Sequence, residues 1–143
     1  MADRTARVTW SGSLMDGSGT IETVGSGAFG PLDVTWASRA EDSNGRTSPE
    51  ELIAAAHAAC FSMALSNQLA QAGAPAESLE TSATVTFVPG TGITRSALTV
   101  RGTVPGMDEA TFLEKAEAAK VGCPVSQALA GGPEITLDAA LRA

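Results

Sequence analysis

The stretch from Thr47 to Gly73, TSPEELIAAAHAACFSMALSNQLAQAG, constrains the fold more than any other part of the chain. It predicts one long helix. Ser48 is placed to cap it, because its hydroxyl can accept a hydrogen bond from a first-turn N–H that has no partner within the helix. Pro49 suits the first helical position, where its missing N–H costs nothing. Glu51, three residues after Ser48, completes a capping-box pattern. Gly73 can take the left-handed conformation that ends a helix, and Pro75 follows soon after. Between Glu51 and Gly73 the only acidic or basic residue is His57. An amphipathic surface helix carries a charged face. This one has none, so burial at the centre of the fold or of a dimer is expected. Cys60 sits in its middle.

A chain of 143 residues predicts a single domain over residues 1–143, long enough to bury a sizeable core. Nine Lys and Arg against sixteen Asp and Glu leave a formal charge of −7. Nucleic acid and anionic membrane surfaces are therefore poor partners. The start, MADRTARVTW, lacks the apolar centre of a signal peptide. The long helix carries Ser, His, Asn and Gln, so no apolar run is read as spanning a bilayer. A cytoplasmic location is the expectation. Two cysteines in such a chain argue for redox chemistry rather than a disulfide scaffold. With one His they are too few for a zinc site.

Residues 6–11 and 20–24 alternate like strands, with a Gly- and Ser-containing turn between them. Leu32 to Ala37 is a third strand candidate, with Val34 and Trp36 on one face, and the three are expected to form an antiparallel meander. Ser38 to Arg46 reads as a polar loop with Arg39 at its base. After the long helix, Ser82 to Val88 places Ala83, Val85 and Phe87 on one face. Ile93 to Val104 follows a Pro-Gly turn. Asp108 is placed to cap a helix from Glu109 to Lys120, with Phe112, Leu113, Ala116 and Ala119 on one face. Cys123-Pro124 begins another short helix, and Glu134 to Asp138 is a last strand. Strands and helices segregated in this way predict an α+β fold.

A thiol is chemically useful as a thiolate. Burial in an apolar helix raises the pKa of Cys60, so on residues alone it reads as either a buried structural cysteine or a nucleophile. Cys123, beside a Pro at a helix start, can be a capping residue or a thiolate favoured by the helix dipole. His57 shares a helix face with Cys60. It can be a core histidine or the base of a Cys–His pair, and a cysteine hydrolase would need the latter. Adjacent residues of a helix point about 100° apart, so Glu50 and Glu51 do not act as paired carboxylates. Glu51 is explained by the capping box; Glu50 is left free for function.

The segments TSPEELIAAAHAACFSMAL and VGCPVSQAL resemble the OsmC/Ohr family of thiol-dependent organic hydroperoxide reductases. The match is nearer to the OsmC branch, through AAHAACFSMALS around the first Cys and CPVSQAL after the second. The similarity runs from about residue 30 to the C-terminus. It implies an OsmC-like fold, antiparallel sheets around a long central helix that carries the first cysteine, in an intertwined homodimer. It implies that Cys60 is the peroxidatic cysteine, oxidised to a sulfenic acid, and that Cys123 is the resolving cysteine that closes an intrachain disulfide. Glu50 matches the family glutamate. Arg39 matches the arginine that holds Cys60 as a thiolate, with Arg46 as the alternative. Bidentate hydrogen bonds would tie Glu50 to the guanidinium.

The expected activity is that of a peroxiredoxin-like enzyme in oxidative or osmotic stress defence. Phe61, Met63 and nearby Ala residues are expected to form an apolar pocket suited to alkyl or lipid hydroperoxides. Relatives imply a dithiol reductant, such as a lipoyl protein or dihydrolipoamide. A non-catalytic thiol sensor or stress-induced binding protein on the same scaffold is the alternative. Helix geometry adds one expectation. Glu50 and Cys60 lie ten residues apart, about 15 Å along a regular helix, too far for one guanidinium to touch both. Two long helices packed antiparallel across a two-fold axis would bring Glu50 of one subunit to Cys60 of the other. Such a dimer would bury well over about 2,000 Å².

Overall fold

The computed structural model describes residues 1–142. Among them the elements run β1 (Val8–Ser11), β2 (Ser18–Ile21), β3 (Leu32–Val34), α1 (Trp36–Ala40), α2 (Pro49–Gln71), β4 (Ser78–Val88), β5 (Gly92–Thr103), α3 (Glu109–Gly122), α4 (Pro124–Leu129) and β6 (Glu134–Leu141). The class is α+β, with two three-stranded sheets. The chain divides into two compact units, Met1–Leu52 and the residues from Ile53 onward. Helix α2 begins in the first and continues through the second.

In the first unit β1, β2 and β3 form the expected antiparallel meander. Trp10 pairs with Gly19 across the β1–β2 ladder. A Cβ on Gly19 would lie 2.6 Å from the Trp10 ring, so only glycine lets the indole cover the strand. The third strand is shorter than expected. It stops at Val34, and Trp36 opens α1, a helix where a strand end and a polar loop were read. The cause is a reciprocal cap: Thr35 Oγ1 accepts from Ser38 N–H, and Ser38 Oγ accepts from Thr35 N–H. Ser38 is buried and also donates to the Thr47 carbonyl at 2.9 Å, which fastens α1 to the lead-in of α2.

Helix α2 starts at Pro49, as its sequence dictates. Ser48 Oγ accepts from Glu51 N–H at 3.2 Å, and the Glu51 carboxylate is engaged by the Thr47 hydroxyl at 2.9 Å. Gly73, at φ +82°, closes the far end. By length and composition alone this helix could cross a bilayer, with a mean hydropathy of 1.2 over eighteen residues, a property the sequence reading did not grant it. It is not buried all round within one chain. One face, His57, Phe61, Leu65 and Leu69 at four-residue spacing, is fully buried. The opposite face, including Ala55, Ala56, Ala59 and Met63, is open, and Met63 is 74% exposed.

The second unit packs that buried face into a cluster with Leu98 and Val100 of β5, Phe112, Ala116 and Ala119 of α3, and Cys123. Strands β4 and β5 pair antiparallel, but β6 pairs with β5 in parallel, so the expectation of wholly antiparallel sheets is corrected. The connection through α3 and α4 is long enough to return the chain to the same end of the sheet, which a parallel pair requires. Ala83, Val85 and Phe87 share one face of β4 as expected. Asp108 caps α3 by accepting from Thr111 N–H at 3.0 Å. Leu113 does not join the buried face of α3: it is 41% exposed, because it lies about 100° round the helix from Phe112.

The approach of α3 to β5 depends on Gly102. A Cβ there would lie 2.8 and 2.9 Å from ring atoms of Phe112, which is fully buried and has nowhere to move. Gly102→Ala is therefore expected to lower unfolding stability in urea by about 1–3 kcal/mol, the usual cost of overpacking. Gly122, at the end of α3 with nothing within 4 Å of its notional Cβ, is the contrast. Gly122→Ala should leave stability unchanged or raise it by up to about 1 kcal/mol. A Gly102→Ala protein as stable as wild type would contradict this account of the packing.

Candidate functional site

Cys60 is supplied by the middle of α2, and Cys123 by the junction between α3 and α4. Cys123 closes α3, donating its N–H to the Ala119 carbonyl at 2.9 Å, and Pro124 then starts α4 at once. Pro suits that place because a helix leaves its first N–H groups unbonded. The chain turn puts the Cys123 side chain inside the cluster, fully buried, while Cys60 is partly buried against it. Both thiols are free.

The two thiols meet side chain to side chain, and the contact divides them. Burial pushes the Cys60 thiol up, and its hydrogen bond with Cys123 pushes it further, against a lowering pull from the Val125 N–H. Burial also works to raise Cys123. There it is overcome by the hydrogen bond with Cys60, by the N–H and hydroxyl of Ser126, and by the N–H of Val125, so that this thiol ends below its ordinary value. The contact between the two sulfurs separates them first, raising Cys60 and lowering Cys123, and donors at the start of α4 add to the lowering. A sulfur facing several N–H and O–H groups holds negative charge at lower cost.

His57 is fully buried between the sheet and α4. Its Nδ1 lies 2.7 Å from Ser96 Oγ on β5, and its Nε2 lies 2.8 Å from Ser126 Oγ on α4. Burial holds its pKa below the usual histidine range. Both ring nitrogens are thus engaged by serines, so the ring is not the base of a pair with Cys60. Sequence reasoning found His57 but neither serine. The missed signal was a histidine on a charge-free buried helix, whose two nitrogens must find partners somewhere.

Arg39 and Glu50 come together within the first unit. Arg39 lies in the last turn of α1, not in a loop. Its Nε donates to Glu50 Oε1 at 2.9 Å, and its Nη2 lies 2.8 Å from the same oxygen. The pair is therefore not the two-oxygen fork that the sequence suggested. Glu50 is buried, and its Oε2 has no hydrogen-bond partner. Arg46 is exposed in the loop that follows α1 and takes no part in the pair. Of the expected pocket residues, Phe61 is in the core. Met63 lines an open groove of about 590 Å³ with Ser62, Ser66, Asn67 and Leu79, a lining that includes neither cysteine. Among the described residues no cluster of His, Cys, Asp and Glu is arranged to hold a metal.

The sequence model of the family described as OsmC-like protein matches residues 41–138. Peroxiredoxin OsmC of Escherichia coli (strain K12) is 46% identical over 136 residues, covering 93% of this chain and 92% of the relative. The organic hydroperoxide resistance protein of Xanthomonas axonopodis pv. citri (strain 306) is 38% identical over 98 residues, covering 66% of this chain and 67% of the relative. Among solved structures, the organic hydroperoxide resistance protein OhrB of Bacillus subtilis superposes with a TM-score of 0.71 at 27% identity, covering 94% of this chain and 97% of that one. A match over most of the chain in sequence and in backbone means that it belongs to the OsmC-like protein family.

Proposed function

We propose that this chain is a thiol-dependent peroxidase that reduces organic hydroperoxides, alkyl or lipid, to alcohols. The observation that carries the reading is the placing of two free thiols together, with Cys60 packed against the buried cluster that contains Cys123. The names of the relatives, peroxiredoxin and organic hydroperoxide resistance protein, point to the same chemistry. In this reading the Cys60 thiolate attacks the peroxide O–O bond. The alkoxide leaves and takes a proton to become the alcohol, and Cys60 holds the oxygen as a sulfenic acid. The Cys123 thiolate then attacks the Cys60 sulfur. The S–O bond breaks, the hydroxide takes a proton to become water, and a disulfide remains. A dithiol such as a lipoyl group returns both thiols by exchange. Every electron comes from thiols, so the chemistry needs no metal or cofactor.

The raised pKa of Cys60 sets a requirement. A partly buried thiolate needs a positive partner during turnover, and Arg suits this because it does not lose its proton. We assign that role to Arg39, steadied by Glu50, within a homodimer in which these two residues of one subunit serve Cys60 of the other. The uncharged open face of α2, with Met63 and three exposed alanines, supports such a pairing of helices. Two equivalent composite sites follow from a two-fold axis.

Stopped-flow mixing with cumene hydroperoxide and with hydrogen peroxide, in the presence of dihydrolipoamide, tests the activity. The organic peroxide is expected to react faster, and Cys60→Ser to lose turnover by at least about a thousandfold, as befits a lost nucleophile. Turnover retained by Cys60→Ser would overturn the reading. Oxidation without turnover would favour a sensor.

Arg39→Ala is expected to slow peroxide reduction on the order of a hundredfold, the scale of one lost charge-stabilising group. Arg46→Ala should stay near wild type. Mixing Arg39→Ala with Cys60→Ser subunits should restore activity, since each mixed dimer would carry one intact composite site. Mass spectrometry that proves exchange, with activity still absent, would rule out shared sites.

A further inference from the structure

We propose that His57 is a clasp that seats the start of α4 on α2, so that Cys123 stays beside Cys60 for disulfide closure. His57 and Ser126 would be positioning residues, acting through the placing of Cys123 and making no contact with the peroxide. The use of that placing rests on the function proposed above; the clasp itself does not.

Helix α4 has few holds on the rest of the second unit. It is six residues long. A helix that short is not stable on its own. Within it Pro124, Gln127 and Ala128 are exposed, Val125 and Leu129 are half-buried, and Ser126 alone is buried. Glycines flank the segment: Gly122 before Cys123, with open space where a side chain would stand, and Gly131 and Gly132 beyond. Ser126 is held by a polar contact. Its Oγ lies 2.8 Å from His57 Nε2, and the other ring nitrogen, Nδ1, lies 2.7 Å from Ser96 Oγ on β5, the central strand of its sheet. A hydroxyl both donates and accepts, so the serines satisfy the ring in either neutral tautomer. All three side chains are buried, where giving up such a bond is costly. The ring thus joins α2, β5 and α4 at one point.

Spacing carries this contact to the cysteines. On α2, Cys60 comes three residues after His57; on the facing segment, Ser126 comes three residues after Cys123. Residues three apart share a helix face, about 4.5 Å apart along the axis. His57 with Ser126 is one rung, and Cys60 with Cys123 is the next, read in opposite directions along the two segments. The first turn of α4 links the rungs: Gln127 N–H donates to the Cys123 carbonyl at 3.0 Å. Fixing one rung therefore sets the other. Cys123 is accordingly fully buried, and Cys60 packs against the cluster that holds it.

The clasp is tested by the equilibrium of the whole protein with glutathione, in which two glutathione thiols reduce the Cys60–Cys123 disulfide and leave one glutathione disulfide. The equilibrium constant reports the effective concentration of one cysteine at the other. Ser126→Ala is expected to lower it about tenfold, the effect of one net hydrogen bond, because the reduced protein then releases α4. Ser126→Thr, which keeps the hydroxyl, should restore it. Two amide replacements separate a clasp from a space-filling ring. His57→Gln places its amide near the site of Nε2 and should retain most of the effective concentration. His57→Asn reaches only towards Ser96 and should fall like Ser126→Ala. Amide hydrogen exchange at Gln127 in the reduced native protein should quicken in Ser126→Ala and His57→Asn, with exchange in α3 unchanged. Urea unfolding identifies any variant that fails to fold; if His57→Asn fails, the serine variants and His57→Gln decide. An unmoved effective concentration in folded Ser126→Ala would overturn the proposal, as would an equal fall in Ser126→Thr or equal values for Gln and Asn at position 57. During turnover, Ser126→Ala should slow disulfide closure more than it slows formation of the sulfenic acid. A wild type that consumes no peroxide would remove the peroxidase reading, and the glutathione equilibrium and hydrogen exchange would still decide the clasp. A wild type that forms no disulfide at any glutathione ratio would overturn both.

Discussion

Burying one thiol and an imidazole among aliphatic side chains, with a second thiol half-buried beside them, is the constraint around which the second unit is built. Each polar atom taken from water must find a partner, or the fold bears the full cost of its desolvation. The structure meets this with single hydroxyls at chosen places. Ser96 is the polar break in the inward face of β5, and Ser126 is the one in α4. Phe61, Leu65 and Leu69 then continue the His57 face of α2 as a purely apolar ridge. The same helix thus carries a half-buried thiol and a buried imidazole near its middle and an ordinary core towards its C-terminus.

The first unit solves a different problem, the placement of one cation. Ser38 ties α1 to Thr47, and α1 presents Arg39 to Glu50 at the start of α2. Both guanidinium contacts fall on Oε1, which leaves Oε2 buried and without a hydrogen bond. Buried carboxylate oxygens are seldom left so.

Much of this was legible in the sequence, and the exceptions have physical causes. Helix α2 was readable because Ser48, Pro49 and Gly73 each encode its ends by local chemistry. The first short helix was not, because its cap uses Ser38 where Glu or Gln would mark a capping box, and the Val34–Trp36 alternation reads as strand. The parallel pairing of β6 escaped because alternation encodes burial, not direction; only the length of the α3–α4 connection carries that information. The cysteines, Arg39 and Glu50 stood out through the family resemblance. Ser96 and Ser126 did not, since an isolated serine has no period and its importance appears only when the fold sets it against His57.

The central claim is that Cys60 and Cys123 form a disulfide as a peroxide is reduced. Accurate-mass analysis of the protein under non-reducing conditions, after mixing with equimolar cumene hydroperoxide, tests it most directly. The account predicts stoichiometric alcohol, a loss of two hydrogens and a proteolytic fragment joining the Cys60 and Cys123 peptides. Peroxide consumed with both thiols still open to alkylation in the unfolded protein would contradict it.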